Sequence, residues 1–281
     1  MPGALYLVST PIGNLRDLSR RAAETLESVD WIACEDTRQT AKLLEFYGIH
    51  KPTRSFHEHN EAAKAEAIVA ELEAGVRVAL VSDGGTPLVS DPGFRLVRLA
   101  AERGIPIIPI PGPSALLAAL AGSGLPTDAF YFGGFLPPKS GARRTSLEAV
   151  RGLPATLIFF EAPHRVLDSL DDIRAVLGDR RIAAGRELTK LHEEFLRGTV
   201  SEVHAALAAR DSNKGEFTLV IDRGSPAAEP SPVADLAAEV EAEVGRGAAR
   251  MDAIKTVARR HGMGKRDLYQ ALSSGSAPQK P

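Results

Sequence analysis

The feature that most limits the fold is the stretch Arg77–Gly93, RVALVSDGGTPLVSDPG. Val78–Val81 is apolar at successive positions, the pattern of a strand buried on both faces. It runs directly into Ser82, Asp83 and two glycines. Asp91-Pro92 then has the form of a helix start, with Asp at the N-cap and Pro at the first helical position. A buried strand leaving through a Gly-rich turn toward a helix is a common ligand-binding arrangement in α/β proteins. The turn contains neither G-x-x-x-x-G-K-S/T nor G-x-G-x-x-G, so Walker and Rossmann chemistry are not expected. What such a turn offers is close approach of backbone N–H and C=O groups to a polar ligand.

The same pattern recurs along the chain. Leu5–Val8, Trp31–Cys34 and Ile105–Ile110 read as short buried strands, and helical segments lie between them. Ser19 is placed to cap the first helix, a helix through Leu43, Leu44 and Tyr47 closes at Gly48, and Ser55–Asn60 is a polar loop before a helix over Glu61–Glu73. Ala115–Ala121 forms a further helix. Strands alternating with helices predict an α/β fold with a parallel sheet covered on both faces, spanning residues 1–135. Leu136–Arg144, rich in Pro, Gly and basic residues, reads as a boundary loop. A second, mixed α/β domain follows over 136–223, with strands at Thr156–Phe160, Arg181–Gly185, Phe195–Gly198 and Phe217–Ile221 and helices at Arg165–Leu177 and Glu202–Ala209. Residues 224–232 have a linker's composition. The tail, 233–281, is helical: Val233–Val244, Met251–His261 and Lys265–Leu272, the last two joined by Gly262-Met263-Gly264 as in a helix-turn-helix. Ser273–Pro281 is expected to be disordered.

Composition narrows the function classes. A chain of 281 residues with a single cysteine has no internal disulfide to form and suits a reducing compartment. Met1–Val8 has no basic export signal, and no apolar run reaches the roughly 18–20 residues of a membrane span. These features predict a cytoplasmic protein. A net charge of −2 argues against coating of nucleic acid by the whole surface. Four polar turns, Ser9–Asn14, Ser82–Pro87, Pro111–Ala115 and Glu161–Arg165, lie at strand ends. In an open α/β sheet such turns gather on one edge, and together they predict a ligand cleft rather than mere chain reversal.

The segments VSTPIGNLRDLS, CEDTRQT, FHEHNE, VSDGGTPLVSDPG, PIPGPSA, GGFLPP, FFEAPHR and GRELTKLHEE occur in this order. They resemble the tetrapyrrole-methylase-fold methyltransferases, and within that superfamily the bacterial small-subunit (16S) ribosomal RNA (cytidine-2′-O)-methyltransferases. The resemblance extends over nearly the whole chain, including the tail. It implies a two-domain tetrapyrrole-methylase-like fold, S-adenosyl-L-methionine in the cleft between the domains, a homodimer, and 16S rRNA, free or in the small subunit, as partner. It also implies cofactor contacts at Pro11, Gly84, Thr86, Val89, Ser114 and Ala115. The second domain's wall would be Phe160, Glu161 and Leu188, with Thr218 nearby. Thr86 stands where many tetrapyrrole-modifying relatives carry Asp.

Methyl transfer from a sulfonium is an in-line displacement, and the protein's part is to align acceptor, methyl and sulfur. A ribose hydroxyl gains from a base within reach of its proton. Glu35, Asp36, His57 and Glu187 are the leading candidates, with His59, Glu161, His164 and Lys190 also weighed. Each has an ordinary alternative: Glu35-Asp36 as a helix cap, Arg186-Glu187 as an internal ion pair, His164 as a helix dock. His57-x-His59 lacks the third and fourth ligands of a metal site, so no metal is expected. Cys34 reads as a small buried residue. RNA contact is expected from Arg38 and His59, from the basic loop residues Lys139, Arg143 and Arg144, and from Arg259, Arg260, Lys265 and Arg266 of the tail. Seven cations face one acid over Arg246–Arg266. A 2′-hydroxyl acceptor would itself mean RNA. The alternatives are a same-fold enzyme acting on a tetrapyrrole or a protein side chain, and a ligand-sensing nucleic-acid-binding regulator. The tail and an aromatic content of 5% count against a porphyrinoid cleft.

Overall fold

The computed structural model describes residues 3–224, 232–261 and 263–274. Most of the expected linker (225–231) and of the expected disordered end (275–281) lie outside the described residues. The chain divides into two compact units, Met1–Arg223 and Gly224–Pro281.

The first unit opens with a parallel sheet of β1 (Ala4–Val8), β2 (Trp31–Cys34), β3 (Thr53–Ser55), β4 (Arg77–Val81) and β5 (Ile107–Ile110), in the order β3-β2-β4-β1-β5. The continuous apolar run of β4 is divided between the two faces by strand alternation. Val78 and Leu80 pack with Val69 and Leu72 of α3 (Glu58–Glu73) and Leu96 of α4 (Phe94–Glu102). Ala79 and Val81 pack with Leu26 of α1 (Arg20–Ser28) and Leu43 and Leu44 of α2 (Thr37–Phe46). Ser19 caps α1 as expected, its hydroxyl accepting from the Ala22 N–H. β3 is a strand that composition hides: three residues, polar, at the sheet edge, the last of them, Ser55, expected from sequence to open a loop.

Asp91-Pro92 does not begin a helix. The chain instead turns through positive φ at Leu88 (72°), Ser90 (67°) and Gly93 (130°), and α4 starts at Phe94 with Gly93 as its N-cap residue. A Cβ on Gly93 would fall 2.7 Å from Leu80 Cδ2. The turn therefore lies directly on the sheet, and the helix begins only once the chain has cleared it.

The second sheet is mixed: β6 (Phe130–Phe135), β7 (Thr156–Glu161), β8 (Arg181–Arg186), β9 (Glu194–Thr199) and β10 (Phe217–Ile221), in the order β6-β7-β10-β8-β9. Only the β6–β7 pairing is parallel. One face packs against α6 (Ser140–Val150), α7 (Val166–Leu177) and α8 (Val200–Ala208). The other is covered by α5 (Ala115–Ser123), whose Ala119 and Leu120 contact Ile158, Ala183 and Val220. A helix that follows the last strand of the first sheet thus closes the second sheet, which makes one body of both.

The stretch read as a basic boundary loop contains the start of α6. Arg143 is 3% exposed, and its Nε and Nη2 both lie 2.7 Å from Asp172 Oδ2 on α7. Arg144 Nε (2.6 Å) and Ser140 Oγ (2.9 Å) donate to the other carboxylate oxygen. The positive charge that suggested a solvated loop is what fastens one helix to the next.

The second unit consists of α9 (Pro232–Gly245), α10 (Arg250–Arg260) and α11 (Lys265–Ser274) around Leu236, Val240, Ile254, Val257 and Leu268. Among the described residues, no helix is long and apolar enough to cross a membrane.

Candidate active site

A cleft of about 970 Å³ opens between the strand-end turns of the first sheet and the facing elements of the second. Its first wall is made by Thr10–Gly13, Ser82–Gly84 and Val89–Asp91, and its second by Phe160–His164, Leu188, Lys190 and Glu216–Thr218. The floor is backbone clasped to backbone. The Thr10 N–H donates to the Gly85 carbonyl and the Gly85 N–H to the Thr10 carbonyl, both at 2.9 Å, while the Thr10 hydroxyl donates to the Ser82 carbonyl at 3.1 Å. A Cβ on Gly84 would sit 3.2 Å from the Pro11 carbonyl oxygen, so a side chain here would press into the clasp.

Pro11, Gly84, Val89, Ala115, Phe160, Glu161 and Leu188 all line the cleft, and Thr218 does so too. Thr86 and Ser114 do not line the cleft. The Ser9 hydroxyl donates to Thr86 Oγ1 at 3.2 Å, and the Thr86 hydroxyl lies 3.5 Å from the Pro113 carbonyl, so this side chain ties three turns together. Ser114 caps α5, its Oγ accepting from the Leu117 N–H. Glu161 reaches the lining, but its carboxylate is turned into the protein. It accepts from the Ala162 N–H, from Arg165 and from the Ser169 hydroxyl, and its side chain is wholly buried.

None of the four leading base candidates lines the cleft. Asp36 caps α2, accepting from the Arg38 N–H, and also holds the Arg38 guanidinium. Those bonds lower its carboxyl to about 2, and they leave Arg38 exposed beside its own partner. Glu35 sits next to it at the end of β2, half-buried. His57 precedes α3, and the side chain of His59 lies outside the described residues. Glu187 accepts from Lys190 Nζ at 2.8 Å and from the Glu216 N–H at 3.0 Å, and these bonds hold its carboxyl below the usual range. The internal pair expected between Arg186 and Glu187 is thus divided: Glu187 takes Lys190, and Arg186 takes Glu194. His164 and Lys190 do line the cleft. Cys34 is fully buried, and burial raises its thiol.

The side chain that sequence reasoning missed is Asp91. It lines the cleft. Burial raises its carboxyl, the charges of Glu35 and Asp83 raise it further, and a hydrogen bond from Ser82 opposes them; the result is about 6. The Asp-Pro pair had assigned it to a helix N-terminus, which concealed it. Among the described residues no three His, Cys, Asp or Glu side chains gather as a metal-holding group.

The positively charged candidates separate once folded. Arg143 is enclosed and has no surface to offer RNA, while Lys139 and Arg144 are exposed. In the second unit, Arg260 pairs with Glu239 and Glu243, Arg250 with Glu241 and Arg246 with Glu243. The acids of α9 therefore neutralise charge that a count over Arg246–Arg266 treats as available. Arg259, Lys265 and Arg266 are exposed and form no ion pair with another described residue.

Comparison with known proteins agrees with this architecture. The family described as Tetrapyrrole (Corrin/Porphyrin) Methylases matches residues 4–204. Among solved structures, diphthine synthase superposes with a TM-score of 0.62 at 15% identity, over 78% of this chain and 90% of that one. Uroporphyrin-III-C-methyltransferase from Thermus thermophilus gives 0.53 at 19%, over 79% and 94%. Both likenesses concern the fold. Much closer in sequence are proteins named ribosomal RNA small subunit methyltransferase I. That of Mesorhizobium japonicum is 49% identical over 96% of this chain and 91% of its own length. That of Halalkalibacterium halodurans is 47% identical over 95% and 93%, and that of Bacillus subtilis 45% over 96% and 94%. The chain belongs to the tetrapyrrole methylase family and, within it, to the group of proteins named ribosomal RNA small subunit methyltransferase I.

Proposed function

We propose that this protein is an S-adenosyl-L-methionine-dependent methyltransferase that modifies the 2′-oxygen of a cytidine ribose in small-subunit (16S) ribosomal RNA. The observation that carries the reading is identity of 45–49% sustained over 95–96% of the chain with relatives bearing that rRNA name. The cleft suits the cofactor. Its volume is that of a small-molecule site, its floor presents backbone polar groups with no intervening side chain at Gly84, and Val89, Ala115, Phe160 and Leu188 supply apolar surface for a ring.

In this reading Pro11, Gly84, Val89, Ala115, Phe160 and Leu188 hold the cofactor, while Thr86 and Ser114 fix the turns that carry these contacts. The cofactor supplies an electrophilic methyl group and a good leaving group. The clasped turns keep the first wall from shifting, and alignment of this kind accounts for much of the rate in such displacements. RNA is held electrostatically by Arg38, Lys139 and Arg144 of the first unit and by Arg259, Lys265 and Arg266 of the second. The protein acts as a cytoplasmic homodimer on free rRNA or the assembled subunit.

The test is transfer of labelled methyl from S-adenosylmethionine to small-subunit rRNA and to subunits purified from cells lacking the enzyme, with the product nucleoside identified by mass. A 2′-O-methylcytidine is the expected product. Cofactor binding without methyl transfer to either substrate would sink the reading.

A further inference from the structure

Asp91 sits in the turn before α4 and does not cap that helix. The helix takes Gly93 as N-cap without a side-chain cap bond, and the carboxylate of Glu61, on α3, receives the Arg95 N–H at 2.8 Å. A neighbouring helix thus supplies the acceptor that Asp91 would have provided. The backbone around Asp91 is costly to hold, because Leu88 and Ser90 both stand at positive φ, a region that disfavours L side chains. At Gly93 the turn runs so close to Leu80 that a Cβ would not fit. The outcome of that strain is placement: Val89, Ser90 and Asp91 line the cleft in succession. Among the described residues Asp91 forms no ion pair. The groups that face it are Glu35 from the turn after β2, Asp83 from the turn after β4, and the Ser82 hydroxyl.

We propose that Asp91 is the proton acceptor of the cleft, taking the proton of the ribose 2′-hydroxyl as that oxygen is methylated. The inference rests on the reaction proposed above. In the step, the O–H bond breaks toward the Asp91 carboxylate and an oxygen electron pair forms the new O–CH₃ bond. The electron pair of the broken S–CH₃ bond stays on sulfur, which becomes a neutral thioether. Asp91 leaves the step as a carboxylic acid and later returns its proton to solvent. A carboxyl at about 6 is well suited to this duty, since it is ionised near neutrality yet more basic than an ordinary aspartate.

The experiment compares full-length wild-type protein with Asp91→Asn and Asp91→Glu in three measurements. They are methyl transfer to small-subunit rRNA across pH 4.5–8.5, calorimetric binding of S-adenosylmethionine, and carboxyl titration of ¹³C-aspartate-labelled protein without cofactor. Asp91→Asn should keep cofactor affinity within about two-fold while transfer falls by about 10²–10⁴-fold. Wild-type transfer should rise through a limb near 6, and the carboxyl signal absent from Asp91→Asn should titrate at the same place. Asp91→Glu should recover part of the rate together with the limb. If wild-type protein methylates rRNA and Asp91→Asn does so at a similar rate, or the carboxyl titrates near 4, the proposal is overturned while the reaction stands. If wild-type protein binds cofactor and methylates no rRNA, the reaction itself falls, and the proposal with it. Should the Asn variant fail to fold, the wild-type titration and the Asp91→Glu profile still decide the matter.

Discussion

Asp172 is buried and Asp91 half-buried, and the protein treats these two aspartates in opposite ways. Asp172 lies between α6 and α7, where burial raises its carboxyl but donors from Arg144, Ser140 and Arg143 outweigh burial and hold it below the usual range. Asp91 receives one hydroxyl and two negative neighbours, and ends at about 6. The first site spends its ionic interactions on cohesion. The second leaves a carboxyl underserved beside a cleft, a pattern typical of groups that exchange protons. Burial alone does not separate structural from chemical acids; what surrounds the buried oxygen does.

The largest expected effect is at the cohesive site. Asp172→Ala leaves the Arg143 guanidinium enclosed without its partner and should cost about 3–5 kcal/mol in chemical denaturation; a loss below about 1 kcal/mol would mean that the pair is hydrated. Arg144→Ala removes only the half-exposed outer partner and should cost about 1 kcal/mol, since solvent screens that bond. A cost equal to that of Asp172→Ala would erase the distinction between inner and outer arginine. The subtlest effect is at Asp91. Its folded value lies above the unfolded one, so the folded protein keeps the proton longer, and this contribution to stability is full below about 4 and fades as pH rises through about 6. Ser82→Ala removes the one bond opposing the rise and should move the Asp91 titration further upward, seen by carboxyl NMR. A downward move would show that Ser82 is not its partner. Asp172 has the opposite sign: its contribution holds above the ordinary carboxylate range and fades as pH falls.

Much of the frame was legible because apolar runs such as Val78–Val81 and Ile105–Ile110 admit few other structures, and the polar turns ending them gave much of the cleft lining. Most of what failed had one cause: the deciding partner was far away in sequence. Arg143 reads as a surface cation until Asp172, 29 positions later, encloses it. Arg260 looks available until Glu239 and Glu243 fold back on it. Asp91 resembles an N-cap until Gly93 meets Leu80. β3 escaped notice for a different reason, since three polar residues at a sheet edge carry no period to detect.

The clasp between Thr10 and Gly85 also bears on how the protein acquires its site. Thr10 and Ser82 lie 72 positions apart, and Ser9 and Thr86 77 apart, so the first wall has no local precursor in the growing chain. Closing so long a loop must precede any reward from those bonds, and parallel pairing is slow for that reason. The wall is therefore assembled only with the central strands β1 and β4 in register, and a partly folded chain offers no competent cleft. Closure of the clasp and completion of the sheet are linked, because the same two strands carry both.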